Sequence, residues 1–119
     1  MDQTKKYDLE ERTARFGEEI ISLCKKIHRS HITDPIVNQL LRSGTSVGAN
    51  YMEANGASSK RDFVNKIYIC KKEIQETKHW LRMLVSCGTI EDDALGRLQK
   101  ESQELTLIFQ KIAASARSV

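Results

Sequence analysis

Apolar residues recur at alternating steps of four and three along most of this chain. In the first stretch the pattern consists of Leu9, Thr13, Phe16, Ile20, Leu23 and Ile27. Because an α-helix turns once in about 3.6 residues, such steps keep these side chains on one face. Three further stretches repeat the rhythm, and no segment has the period of two that is typical of a strand. The sequence therefore predicts an all-α fold.

Local signals divide the chain into four helices. Three pairs have the spacing of a capping box, in which each side chain satisfies a free backbone N–H at a helix start: Asp8 with Glu11, Ser59 with Asp62, and Thr89 with Asp92. The only proline, Pro35, suits the first position of a helix and predicts a start near Asp34, and Gly88 suits the left-handed residue after a helix end. The predicted helices cover roughly residues 8–28, 34–56, 59–87 and 90–116.

Short connections make consecutive helices antiparallel neighbours. We therefore expect one domain, residues 1–119, folded as an up-down-up-down antiparallel four-helix bundle. A chain of 119 residues is long enough for one core, and 39% hydrophobic with 29% charged residues is ordinary for a globular domain.

The stretch RSGTSVGANYMEANGASSKRDF, residues 42–63, is crowded with small residues. A phosphate-binding P-loop would need a lysine after its last glycine and a preceding strand, and neither is present. The four-three rhythm continues through Gly44, Val47 and Tyr51, which favours a helix. Each glycine costs about 1 kcal/mol of helix propensity, so we interpret Gly44 and Gly48 as places where a neighbouring helix approaches closely.

A polar line on the second helix lies away from the predicted core, on the opposite side of the helix. It consists of Arg42, Ser46, Asn50 and Glu53. One interpretation is a solvated face with an ordinary Arg/Glu surface pair. The other is a partly buried, hydrogen-bonded strip that binds a second chain.

The third helix has a second apolar face. On a helical wheel Ile69, Trp80 and Met83 cluster on nearly the opposite side from the core stripe of Phe63, Ile74 and Leu81. A helix in a monomeric bundle faces one core, and tryptophan and methionine are enriched at subunit contacts, so we expect an oligomer interface here. The alternative is that Trp80 covers an edge of its own bundle.

A basic stripe with an aromatic residue runs between these two faces, and it consists of Arg61, Tyr68, Lys72, Gln75, His79 and Arg82. Such a line suits a nucleic-acid backbone, with Tyr68 available for stacking. Glu73 and Glu76 lie on the same helix, which favours an ordinary solvated face instead. The net charge of +3 and the pI of about 8.8 permit RNA binding without requiring it.

Catalytic and metal-binding patterns are weak in this sequence. His28, His31 and His79 have no partners at metal-ligand spacing apart from Glu76, which gives one Glu-x-x-His match on the outer side of its helix. Cys70 falls in an apolar stripe and is better explained as a core residue than as a nucleophile. We expect no catalytic residue, no metal, no cofactor and no small-molecule substrate.

The expected location is the cytoplasm. The three cysteines are odd in number and widely spaced, which disfavours a disulfide framework and favours a reducing compartment. No run approaches the roughly 18 apolar residues of a membrane span, and the N-terminal residues lack the apolar core of a signal peptide.

Most of the chain resembles a known family. The block from QLLRSGTSVGANYMEA through SSKRDFVNKIYICKKEIQETKHWLRML, together with DLEERTARF near the start, resembles the four-helix bundle proteins encoded in intervening sequences of bacterial 23S ribosomal RNA genes. This resemblance implies a four-helix bundle that assembles as a ring, a homopentamer, and a family without an established catalytic activity. The accessory protein of diversity-generating retroelements, a basic pentamer that binds nucleic acid and a reverse transcriptase, is distantly similar.

The resemblance also implies signature positions on two helices: Arg42, Ser43, Ser46, Asn50, Glu53 and Ala54 on the second, with Lys72, Glu73, Glu76, Trp80 and Leu81 on the third. Family members often carry arginine where this chain has Met52, so this chain is less basic there. The leading hypothesis is a non-enzymatic, ring-forming bundle that binds RNA or another nucleic acid. The alternative is a protein-interaction adaptor or scaffold without nucleic-acid affinity.

Overall fold

Four helices run up, down, up and down in the computed structural model, which describes residues 8–88 and 93–117. The helices are α1 (Leu9–Lys25), α2 (Thr33–Asn55), α3 (Lys60–Cys87) and α4 (Asp93–Arg117), and the described ranges contain no strand. Helices that follow one another in the chain share the most extensive contacts, and α1 packs less extensively on α4. The all-α, antiparallel four-helix bundle is thus confirmed.

The predicted capping signals act where the described residues include them. Asp8 accepts a hydrogen bond from the N–H of Glu11 at 3.2 Å, and Ser59 accepts one from the N–H of Asp62 at 3.0 Å. Gly88 follows α3 with a φ of 63°, the left-handed conformation expected after a helix end. The third pair, Thr89 with Asp92, lies outside the described residues.

The turn between α1 and α2 differs from the sequence expectation. Helix α1 ends at Lys25 rather than near residue 28, and α2 begins at Thr33, so that Pro35 is its third residue rather than its first. Ser30 Oγ accepts the N–H of Thr33 at 3.1 Å, and Thr33 Oγ1 accepts the N–H of Ser30 at 2.9 Å. This exchange caps the helix start, and Asp34, the residue before Pro35, donates its N–H to the carbonyl oxygen of Ser30 at 2.8 Å.

The core is built from the four predicted stripes. Its largest fully buried side chains include Phe16, Ile20, Leu40, Leu81 and Phe109. At the partly buried end of α2, the ring of Tyr51 meets Phe109 edge to face, with ring centroids 5.8 Å apart. Most of the predicted stripe residues are buried and the others are half-buried against the core, which confirms the periodicity argument.

Glycines bring α1 and α2 close together. A Cβ added to Gly44 would lie 2.8 Å from Cγ1 of Ile20, and one added to Gly48 would lie 3.4 Å from the carbonyl oxygen of Thr13. Both glycines lie inside α2, so they form no phosphate-binding loop. The interpretation of these glycines as points of close helix approach is confirmed.

A charged contact closes the bundle between its first and last helices. The guanidinium of Arg12 on α1 donates to both carboxylate oxygens of Glu101 on α4, at 2.7 and 2.8 Å, and to Glu104 at 3.0 Å. The pKa of Arg12 is raised, and the largest cause is the hydrogen bond to Glu101. Burial alone would lower this pKa, but the two carboxylates outweigh it. A bidentate pair of this kind fixes the relative height of the two helices.

None of the helices within residues 8–88 and 93–117 is long and apolar enough to cross a membrane.

Candidate interaction surfaces

The basic stripe lies on the outer side of α3. The five residues predicted to bind nucleic acid are all exposed: Arg61, Tyr68, Lys72, His79 and Arg82. The five stripe residues are exposed whereas Ile69, Trp80 and Met83 are half-buried, so the basic stripe, and not that apolar patch, lies opposite the core stripe of α3. This corrects the expectation that the basic stripe lies between the other two faces. Arg61, Lys72 and Arg82 form no salt bridge with any described residue, so their charges are uncompensated.

Two contacts support the aromatic residues of the stripe. The guanidinium of Arg117, at the end of α4, lies 5.7 Å from the centroid of the Tyr68 ring. The rings of His79 and Trp80 meet edge to face with centroids 4.9 Å apart. Arg117 was absent from the predicted site, although the antiparallel order of α3 and α4 places the end of one helix beside the early part of the other.

The polar line on α2 borders α3 and does not lie opposite the core, although Arg42 and Glu53 are exposed, as in the solvated-face interpretation. Arg42 pairs with Glu73 at 3.1 Å and also binds Glu76, and Glu53 pairs with Lys66 at 2.6 Å. Each of these three ion pairs therefore joins α2 to α3. Ser46 and Asn50 are half-buried between them and bond to carbonyl oxygens of their own helix.

One of the ion pairs of Arg42 involves a nearly buried carboxylate, that of Glu73. Glu73 is only 8% exposed, so its charge depends on Arg42 for compensation. Burial lowers the pKa of Arg42, but attraction to Glu73 and Glu76 outweighs it and the pKa is raised. Below this pair, Thr77 donates to Ser43 at 2.8 Å in the buried interface of the two helices. These polar contacts fix the register of α2 against α3.

The predicted oligomer patch on α3, which we call the seam patch, consists of Ile69, Trp80 and Met83. All three residues are half-buried in the single chain, so they are less exposed than a fully solvent-facing patch would be. Trp80 packs partly against the core, and its indole N–H is buried without a hydrogen-bond partner among the described residues. The seam patch shares α3 with Glu73 and Glu76, which bind Arg42 of the polar line.

The described residues offer little support for metal binding at the histidines or for a reactive thiolate at Cys24 and Cys70. Residues 8–88 and 93–117 contain no cluster of three or more potential metal ligands. Glu76 is bound by Arg42, which leaves the Glu76–His79 pair without a free carboxylate. Burial raises the pKa of the Cys24 thiol to about 11 and that of Cys70 to about 12, which disfavours the reactive thiolate.

Comparison with known proteins agrees with this architecture. The model of a family described as 23S rRNA-intervening sequence protein matches residues 5–111. A similar solved structure is that of a protein of unknown function from the S23 ribosomal protein family of Bacteroides thetaiotaomicron. It is 31% identical, with a TM-score of 0.76, and the match covers 87% of this chain and 96% of that one. No protein of curated function matches the sequence. The chain belongs to the 23S rRNA-intervening sequence protein family.

Proposed function

We propose that this protein is a non-enzymatic scaffold that assembles into a ring and binds RNA along the basic stripe of α3. The observation that carries the RNA proposal is the set of exposed, unpaired cations Arg61, Lys72 and Arg82 on one side of one helix. Unpaired surface cations in a line are suited to neutralise successive phosphates, with release of the counterions that surround nucleic acid.

The spacing of the stripe favours a single strand. Tyr68 lies between Arg61 and Lys72, and His79 lies between Lys72 and Arg82, so rings and cations alternate. The two rings are separated by about 16 Å along the helix axis, at 1.5 Å per residue. Exposed rings stack on unpaired bases, whereas the bases of a duplex are already stacked on each other. The stripe is one side chain wide, which suits one backbone better than two.

Neutralising the stripe is expected to weaken RNA binding. The triple variant Arg61→Gln, Lys72→Gln, Arg82→Gln should bind a single-stranded oligoribonucleotide at least about tenfold more weakly at low salt, because it lacks three phosphate contacts. For the wild type, the logarithm of the association constant should fall with the logarithm of salt concentration with a slope of about −2, the value for three contacts. Fluorescence anisotropy with a labelled oligonucleotide measures both quantities.

The matched control variant removes three positive charges from α1 and α4 and leaves the stripe on α3 intact. Lys25, Lys100 and Lys111 are exposed and lie on α1 and α4, so the variant with all three changed to glutamine should keep most of the affinity. If both triple variants lose affinity equally, binding depends on net charge and the stripe has no special role. If the wild type shows no binding at low salt, the RNA proposal is wrong and the adaptor without nucleic-acid affinity takes its place.

The ring proposal rests on the seam patch. A buried donor without a partner is rare in native proteins, so the indole N–H of Trp80 supports a side whose contacts are incomplete in the isolated chain. The polar line of α2, namely Arg42, Ser46, Asn50 and Glu53, would then form the rim of the interface. Assembly as a homopentamer would repeat the basic stripe five times and raise the affinity for a long RNA through multivalent binding.

Placing a charge in the seam patch is expected to dissociate the assembly. Met83→Glu would bury a carboxylate in the subunit contact, so light scattering should report the mass of one chain instead of about five, with the circular dichroism of the helices retained. Leu107→Glu is the control, because Leu107 is 54% exposed on α4 and lies outside the patch. A wild-type mass of one chain at micromolar concentration would contradict the ring.

A further inference from the structure

A groove runs between α1 and α2 on a side of the bundle that the stripe and the seam patch do not use. Close approach at the glycines leaves a shallow concavity of about 740 Å³, with Ala14, Gly48 and Ala49 among the small residues that line it. Two large apolar side chains stand exposed beside this floor, Ile21 at 42% and Met52 at 63%. Such a surface offers apolar contact while allowing a partner backbone to come near.

Every charged residue that lines the groove is acidic. The four carboxylates are Asp8, Glu10, Glu11 and Glu18, and no lysine or arginine is among the lining residues. Glu11 is bound by Arg15 from outside the groove and Glu10 accepts a hydrogen bond from Asn55, whereas Glu18 has no partner among the described residues. The chain as a whole carries a net charge of +3, so the acidic lining of the groove is a local feature.

We infer that this groove binds a basic amphipathic helix of a protein partner. Small residues on the floor admit a helix closely, and Ile21 and Met52 supply apolar contacts of the helix-in-groove kind. Lysine or arginine residues flanking the partner's apolar face would meet the carboxylates on the rim, which complements the charge. The same carboxylates repel phosphate, so the groove is unsuited to RNA. The protein would then hold an RNA strand on α3 and a protein helix at α1 and α2.

The test uses a synthetic peptide of about 18 residues, the length of five helical turns, with leucine and alanine on one face and lysine on its flanks. Fluorescence anisotropy of the labelled peptide against the full chain measures the affinity. The variant Glu18→Lys is expected to weaken binding about fivefold, because it turns one exposed attraction into a repulsion. Glu19→Lys makes the same charge change at the neighbouring exposed residue, outside the groove, and should change the affinity less than about twofold.

Two further measurements test the apolar contact between the peptide and the groove floor. Ala49→Lys places a long, charged side chain on the groove floor and should also weaken binding, and a peptide of the same composition with its leucines spread around the helix should bind more weakly to the wild type. The inference is overturned if the peptide does not bind, or if Glu18→Lys and Glu19→Lys have equal effects. It is also overturned if Glu18→Lys lowers the mass seen by light scattering, since a second copy of this chain would then occupy the groove.

Discussion

Replacing Phe109 with alanine is expected to lower the free energy of unfolding by about 3–5 kcal/mol, the range for deleting a fully buried aromatic ring. Phe109 is 0% exposed and its ring meets Tyr51 edge to face, so the change removes apolar burial, leaves a cavity and breaks an aromatic pair. Urea unfolding followed by circular dichroism measures the difference. Both proteins must be compared at one chain concentration, because the proposed assembly would make the stability depend on concentration.

The neighbouring residue Leu107 provides the control for Phe109. Leu107 belongs to the same helix but is 54% exposed, so Leu107→Ala should change the free energy of unfolding by less than about 0.5 kcal/mol. A loss below about 1 kcal/mol for Phe109→Ala would contradict the central place of this ring in the core.

Replacing Gly44 with alanine is expected to destabilise the fold even though alanine is the better helix former. The new Cβ would lie 2.8 and 3.0 Å from the two γ carbons of Ile20, closer than normal van der Waals contact. Overpacking of this kind costs up to about 3 kcal/mol, and the gain in helix propensity is about 1 kcal/mol. The expected net loss is about 2 kcal/mol, measured by urea unfolding.

Two further variants separate crowding from propensity. Gly96 lies inside α4 with no atom within 4 Å of an added Cβ, so Gly96→Ala should be neutral or stabilising by up to about 1 kcal/mol. Ile20→Ala removes the side chain that Gly44→Ala would strike, so the double variant should lose less stability than the two single variants together. Stabilisation by Gly44→Ala alone would refute the close approach of α1 and α2.

Periodicity was sufficient for the bundle because it is a local property of each helix. The four-three stripes placed Ile20, Val47, Ile74 and Leu81 in the core without any information about neighbours, and each is fully buried. On α3 the same argument was less accurate, because it placed Ile69, Trp80 and Met83 opposite the core, and these residues are half-buried while the basic stripe is exposed. Helix starts were predictable where a capping pair was present. The start of α2, expected near Asp34, lies at Thr33, but the sequence argument did not find the hydrogen-bond exchange of Ser30 with Thr33.

Contacts between helices could not be predicted in the same way. Arg42 meets Glu73 and Glu76, which lie 31 and 34 positions away in the chain, and their meeting depends on the relative height of α2 and α3. The contact of Arg117 with Tyr68 depends likewise on how α4 lies beside α3. A helical wheel gives each residue a direction on its own helix but does not identify its neighbour on another helix. The wheel therefore placed the polar line of α2 opposite the core, whereas the line borders α3.

The ion pairs of Arg12 with Glu101 and Glu104 make the contact between α1 and α4 sensitive to salt. Since α1 and α4 share the least extensive of the four contacts between neighbouring helices, that contact relies more on charge than the other three do. Concentrated salt screens this charged contact without weakening the apolar stripes to the same degree. We therefore expect α1 and α4 to separate before α2 and α3 do. This separation would expose Phe16, which lies beside Arg12 and Glu101.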